Sequence, residues 1–127
     1  MNLQERIVRY SKVGLVAATV HFCVQSGLLF LMPIWISNTL GFLAASSVSY
    51  FGHSVYTYRI ETRGKIFPKR WLILQFIVNI AMSSLLPFFL PSFFAVGYIK
   101  RGILVLIPIL MNALIWTSAA NFSRRYP

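Results

Sequence analysis

The chain has 127 residues, of which 57% are hydrophobic and 11% charged, and it carries a formal net charge of +10. This balance excludes an ordinary water-soluble globule, because runs without any charged residue extend for 46 residues over 13–58, 29 over 71–99 and 22 over 102–123. Such a basic excess would otherwise point to nucleic acid, but these residues stand at the ends of apolar runs, so a membrane is the expected environment and no nucleic-acid partner is expected. One crossing takes about 20 apolar residues. The first run therefore holds two crossings and the others one each, which predicts an all-α membrane protein with four transmembrane helices in one domain over 1–127.

Residues 1–12 read as a short amphipathic lead-in carrying Glu5, Arg6, Arg9 and Lys12. The apolar stretch behind it is too long for a signal peptide and has no small-x-small cleavage pattern, so a retained helix is expected over 10–32. Gly14, Ala17, Ala18, His21 and Gln25 share one side of that helix. Pro33, Trp35 and Asn38 predict a tight turn, with Trp35 at the membrane–water boundary. The second helix is expected over 38–58. Its small residues Gly41, Ala45 and Ser49 recur every four positions, with Ser46, Val48 and Gly52 close by, a pattern that lets a second backbone approach closely in a bilayer.

The stretch from Arg59 to Arg70 is broken by Gly64 and Pro68 and predicts an exposed basic connector. A third helix follows over 71–90, with Gln75 and Asn79 on it and Pro87 and Pro91 expected to end or distort its far end. The fourth is expected over 102–123, introduced by Lys100 and Arg101, kinked at Pro108 and carrying Asn112. Ten basic residues lie at the two termini and in the middle connector, against two, Lys100 and Arg101, on the other side. The positive-inside rule then places both termini in the cytoplasm. Cys23 is the single cysteine, which leaves no disulfide framework or cysteine metal site, and no carboxylate joins the two histidines, so no metal and no cofactor are expected.

A weak repeat runs through the chain. Arg9-Tyr10-x-x-Val13-Gly14 is echoed by Arg70-Trp71-x-x-Leu74-Gln75, and His53-x-x-Tyr56-x-Tyr58 by Asn121-x-x-Arg124-x-Tyr126. The four helices thus read as two repeated hairpins of the same sense. With their length and span count, these segments resemble the GtrA-like family of small four-span membrane proteins, whose first helix is approached through Arg-aromatic-x-x-Val-Gly. The chain departs from that family where His21 stands for a common acid, His53-Ser54 for Asn-Arg and Arg124 for an aromatic residue. The resemblance implies translocation of a polyprenyl-phosphate-linked sugar across the bacterial inner membrane for cell-envelope glycosylation.

Two groups of residues are candidates for such work. His21, near the membrane middle at about 13 Å inward from Lys12 on a regular helix, together with Gln25, His53, Gln75, Asn79 and Asn121, would line a polar groove. Interhelical hydrogen bonding is the plainer role for any one of them. The tyrosines and tryptophans at the helix ends read as a boundary belt. Arg9 and Arg70, matched by the repeat, would hold the lipid phosphate on one face, with Lys100 or Arg101 receiving it on the other; anionic membrane lipids compete for the same charges. No catalytic triad, carboxylate pair or nucleotide loop is present, so no enzyme is expected. Four short helices leave little room for a sugar, which predicts a homodimer. The alternatives are a membrane subunit that recruits or anchors a glycosyltransferase, and a small multidrug-type exporter. The exporter lacks a membrane-embedded acid, since Glu5 and Glu61 both lie outside the spans.

Overall fold

Asn2 opens the first helix: its backbone is extended and its side-chain carbonyl accepts from the Glu5 amide at 2.8 Å, with Glu5 itself in the positive first turn. The computed structural model describes the backbone of residues 1–89 and 97–126 and the side-chain surroundings of residues 1–85 and 106–126. Within it, α1 spans Leu3–Leu28, α2 Ile34–Gly52, α3 Arg59–Thr62, α4 Lys69–Phe89 and α5 Gly97–Arg125. No strand occurs among the described residues. The expected lead-in is therefore part of α1, which starts before residue 10 because Asn2 caps it and the helix continues from there into the apolar run without a break. Pro33 disfavours helical backbone at the residue before it and caps α2. As a result Trp35 and Asn38, expected in a turn, stand in the first turns of α2. Pro87 lies inside α4 without ending it before Phe89. Pro91 lies outside the described residues.

The end of α2 widens into a π-helical segment over His53–Thr57, closed by the Tyr58 amide on the His53 carbonyl at 2.9 Å. The chain then makes the short α3 and leaves it through Arg63 and Gly64, both at positive φ (55° and 75°), a conformation that suits Gly64. From here the connector does not run free in solvent as expected. Phe67 turns inward and is only 2% exposed. Its carbonyl accepts from the Tyr50 hydroxyl, its amide donates to Ser54 Oγ at 3.0 Å, and Thr62 Oγ1 donates to the Ser54 carbonyl at 2.7 Å. These bonds tie the connector to the π segment, whose backbone would otherwise leave polar groups unpaired.

α2 is the central helix, packed between α1 and α4, and α4 in turn packs on α5. The α1–α2 interface is the most extensive, and two glycines permit it. A Cβ on Gly41 would lie 2.6 Å from His21 Cδ2, and one on Gly52 would lie 2.7 Å from Val13 Cγ1. The buried core gathers at the basic end, where Tyr50, Tyr58, Phe67, Ile115, Trp116, Ala119 and Ala120 pack together and Tyr10, Trp71, Leu72 and Val78 close around them. Elsewhere large apolar side chains face outward: Phe30 is 90% exposed, Leu31 80% and Phe22 69%. So wide an apolar exterior is unstable in water and natural in lipid. The exposed hydroxyls of Thr19, Thr39 and Ser47 each donate to their own helix carbonyl four residues back, which removes the need for water. Among the described residues two helical stretches, Leu3–Leu28 and Leu106–Arg125, are long and apolar enough to cross a membrane; α2 is diluted by its serines, glycines and Asn38.

Candidate functional site: a cavity above an aromatic floor

Between the helices lies a cavity of about 500 Å³. One wall is α1, from Tyr10 and Ser11 through Gly14 to His21; α2 gives Phe42, Ala45, Ser46 and Ser49, and the π segment gives His53. Gln75 and Asn79 come from α4, and Pro108, Ile109, Asn112 and Trp116 from α5. α1 and α5 face each other across it without an interface of the kind that joins α1 to α2 or α4 to α5.

The floor is aromatic. Tyr10 stacks on His53 with ring centroids 4.5 Å apart, His53 meets Trp116 at 5.5 Å, and Trp116 stacks on Phe67 at 5.7 Å. The π segment turns His53 to this place, where its Nδ1 pairs with Thr57 Oγ1 at 2.9 Å. The other histidine, His21, packs against Phe42 at 4.3 Å, and its Nε2 lies 3.1 Å from Asn38 Oδ1. That oxygen can only accept, so Nε2 is the donor in this contact. Asn79 donates to Ser46 Oγ at 3.4 Å.

Among the described residues, three buried polar atoms of residues in these walls have no hydrogen-bond partner: Gln75 Oε1, Asn112 Oδ1 and Trp116 Nε1. Gln75 is 2% exposed and Trp116 fully buried. Buried polar atoms are nearly always paired, and an orphan carries a cost of about 1–3 kcal/mol.

Of the groove residues read from the sequence, the structure brings His21, His53, Gln75 and Asn79 together in these walls. It leaves out two. Gln25 lies a turn beyond His21, outside the cavity wall, and Asn121 is exposed and accepts from Arg124 at 3.2 Å. Helical spacing put Gln25 on the right face of α1, but the cavity does not reach so far along the helix. The small-residue stripe also divides: Gly41 and Gly52 meet α1, whereas Ala45, Ser46 and Ser49 line the cavity. Sequence reading assigned Tyr10 to the boundary belt and gave no role to Trp116; the one available signal was a tryptophan placed well inside a span instead of at its edge.

Of the proposed phosphate ligands, Arg9 and Arg70 are outside the cavity walls. Arg9 lies over the Tyr56 ring at 5.0 Å, donates to the Tyr56 carbonyl at 3.2 Å and pairs with Glu5 at 3.1 Å. Arg70 is exposed and lies over Phe122 at 4.2 Å. Arg9 thus caps an aromatic ring of the π segment and Arg70 one on α5, Arg9 beside the cavity residue Tyr10. Arg6 meets Glu61 and lies 5.5 Å over the Tyr58 ring. The side chains of Lys100 and Arg101 lie outside the described residues.

No curated protein and no solved structure matches the chain. A family model described as GtrA/DPMS, transmembrane domain, matches residues 9–122, which takes in every helix that lines the cavity. The resemblance read from the sequence is therefore correct: the chain belongs to the GtrA/DPMS transmembrane-domain family.

Proposed function

We propose that this protein translocates a polyprenyl-phosphate-linked sugar across the bacterial inner membrane, supplying glycosylation of the cell envelope. The observation that carries the reading is the cavity, a space of about 500 Å³ whose largely apolar wall includes the polar residues His21, Ser46, Ser49, Gln75 and Asn79, inside a chain whose family is a membrane domain. Volumes of this order suit a small ligand, and a sugar supplies hydroxyls that both donate and accept. The polyprenyl tail stays in the bilayer, so only the headgroup needs a polar path between α1 and α5. In this reading the chain is one four-span domain of two hairpins, both termini are cytoplasmic, and it acts as a homodimer without chemistry of its own. Arg9 and Arg70 attract the phosphate at the basic end, and Lys100 or Arg101 takes it on the far side.

Reconstitution in liposomes tests the proposal. With a labelled polyprenyl-phosphate hexose, protein-containing vesicles should move the headgroup between leaflets at least tenfold faster than empty ones. Equal rates, with the protein folded, would reject translocation and leave the recruitment of a glycosyltransferase as the reading to pursue.

A further inference from the structure

We infer that the two arginines matched by the repeat have unlike tasks: Arg70, resting on Phe122, makes the direct contact with the cargo's phosphate, while Arg9 is spent on holding the fold and adds only its charge, an inference that rests on the translocation reading. The chain has two side-chain carboxylates, Glu5 and Glu61, and both serve the first hairpin. Glu5 holds Arg9 at 3.1 Å, and Glu61 holds Arg6 and so joins α1 to α3. Arg9 also donates to the Tyr56 carbonyl at 3.2 Å and lies over the Tyr56 ring at 5.0 Å. A phosphate arriving there would have to displace the Glu5 carboxylate and would meet its like charge.

Nothing of this kind guards the second hairpin. Four residues before Arg70, where Glu5 stands before Arg9, the chain has Ile66. Arg70 is exposed, and among the described residues no carboxylate pairs with it. It lies over Phe122 at 4.2 Å. That contact engages the face of the guanidinium and holds it in place, which leaves the edge, where the N–H donors are, for a bidentate pair with phosphate oxygens. The Phe122 ring belongs to a small platform, 4.8 Å from Tyr126 and 6.3 Å from Trp71. Arg125, three residues beyond Phe122, shares that face of α5, and Lys69 precedes Arg70; both are exposed.

Position favours the cargo over other anions. Trp71 and Tyr126 suit the membrane–water boundary, which is the level of a lipid phosphate. The platform also stands on two helices that line the cavity. Gln75 lies five residues along α4 from Arg70, about 7.5 Å of rise, and Trp116 lies six residues from Phe122 on α5, about 9 Å. A phosphate gripped by Arg70 is thus held at the basic end of the cavity.

Native mass spectrometry from phosphatidylcholine nanodiscs, with thermal unfolding alongside, tests this. The probes are a polyprenyl-phosphate hexose and phosphatidylglycerol. The wild-type protein should prefer the polyprenyl lipid. Arg70→Lys keeps the charge and loses the fork, so it should weaken that binding about tenfold without changing the unfolding temperature. Arg70→Gln serves the same purpose should the lysine variant fold poorly. Arg9→Lys should lower the unfolding temperature and weaken binding far less, and Arg63→Lys, in the connector, should change neither. Equal losses of binding in Arg9→Lys and Arg70→Lys, or none in a folded Arg70 variant, would overturn the inference. Equal affinity for phosphatidylglycerol, lost in the same variant, would overturn it too, since the platform would then anchor anionic bilayer lipid. Each of these outcomes leaves translocation standing, because headgroup movement by the wild type in liposomes decides that separately. No binding of the polyprenyl lipid by the wild type would overturn both.

Discussion

Trp116 shows how much one side chain can carry in so small a protein. Its ring is completely buried, stacks on Phe67, meets His53 and approaches Tyr50 at 6.4 Å, while its indole N–H has no partner among the described residues. The ring therefore holds the aromatic floor together, and in the proposed function the N–H would donate to the cargo. Trp116→Phe separates the two roles, keeping most of the apolar surface and losing the donor. Folding should change little, whereas headgroup binding should weaken by about threefold to tenfold, the usual worth of one neutral hydrogen bond. Binding isotherms in nanodiscs, read beside thermal unfolding, check this; unchanged binding would show that the N–H does not meet the cargo. His21 is a different case. It is anchored by Asn38 and pressed against Gly41, so its ring orientation is set by α2 and not by its own helix.

The helices are held together by unequal means. α1 and α2 meet at backbone distance through Gly41 and Gly52, while the basic end is filled by large aromatic rings. In a bilayer no hydrophobic drive joins helices, so close approach and dispersion contacts must do so. Gly52→Ala would put a Cβ 2.7 Å from the buried Val13 side chain and should destabilise the protein by about 1–3 kcal/mol, an overpacking cost. Gly14→Ala is the internal comparison. No atom lies within 4 Å of a Cβ placed there, and alanine improves helix propensity by about 1 kcal/mol. Thermal unfolding in detergent should rank Gly14→Ala at or above the wild type and Gly52→Ala clearly below it. Equal stabilities would mean that α1 and α2 are not held at Gly52.

At the scale of the whole molecule, the closed basic end and the cavity behind it form a chamber with an aromatic floor. Ala45 faces that chamber. Ala45→Leu should therefore fill space without parting α2 from a neighbour: the protein should fold normally and lose at least tenfold in headgroup movement. A collapse in folded yield instead would show that Ala45 is a packing contact. The arrangement of charge makes a second prediction. In a Cys23→Ser background, a cysteine at exposed Trp35 should be labelled from outside intact cells and one at exposed Lys65 should not, given ten basic residues on the side of Lys65. Labelling of both would contradict a single orientation.

The sequence by itself determined the medium, the helical class and the family. Uncharged runs of 46, 29 and 22 residues cannot be hidden in 127 residues of soluble protein, and backbone groups in lipid must pair within a helix. Helical spacing also found His21, Gln75 and Asn79, because a polar residue deep in an apolar run has few places to go. Only the tertiary structure decided where that polarity converges. Gln25 obeys the same periodicity as His21 and still falls outside, since the length of a cavity depends on how far four helices stay in register. Phe67 sits in a stretch that reads as a basic connector, and only its bonds to Tyr50 and Ser54 carry it inward. The π segment that brings His53 beside Tyr10 has no signature in composition; it arises from packing on α1 and from the hydrogen bonds that tie the connector to it. Periodicity fixes the face of a helix, whereas contacts between residues distant in sequence fix what that face meets.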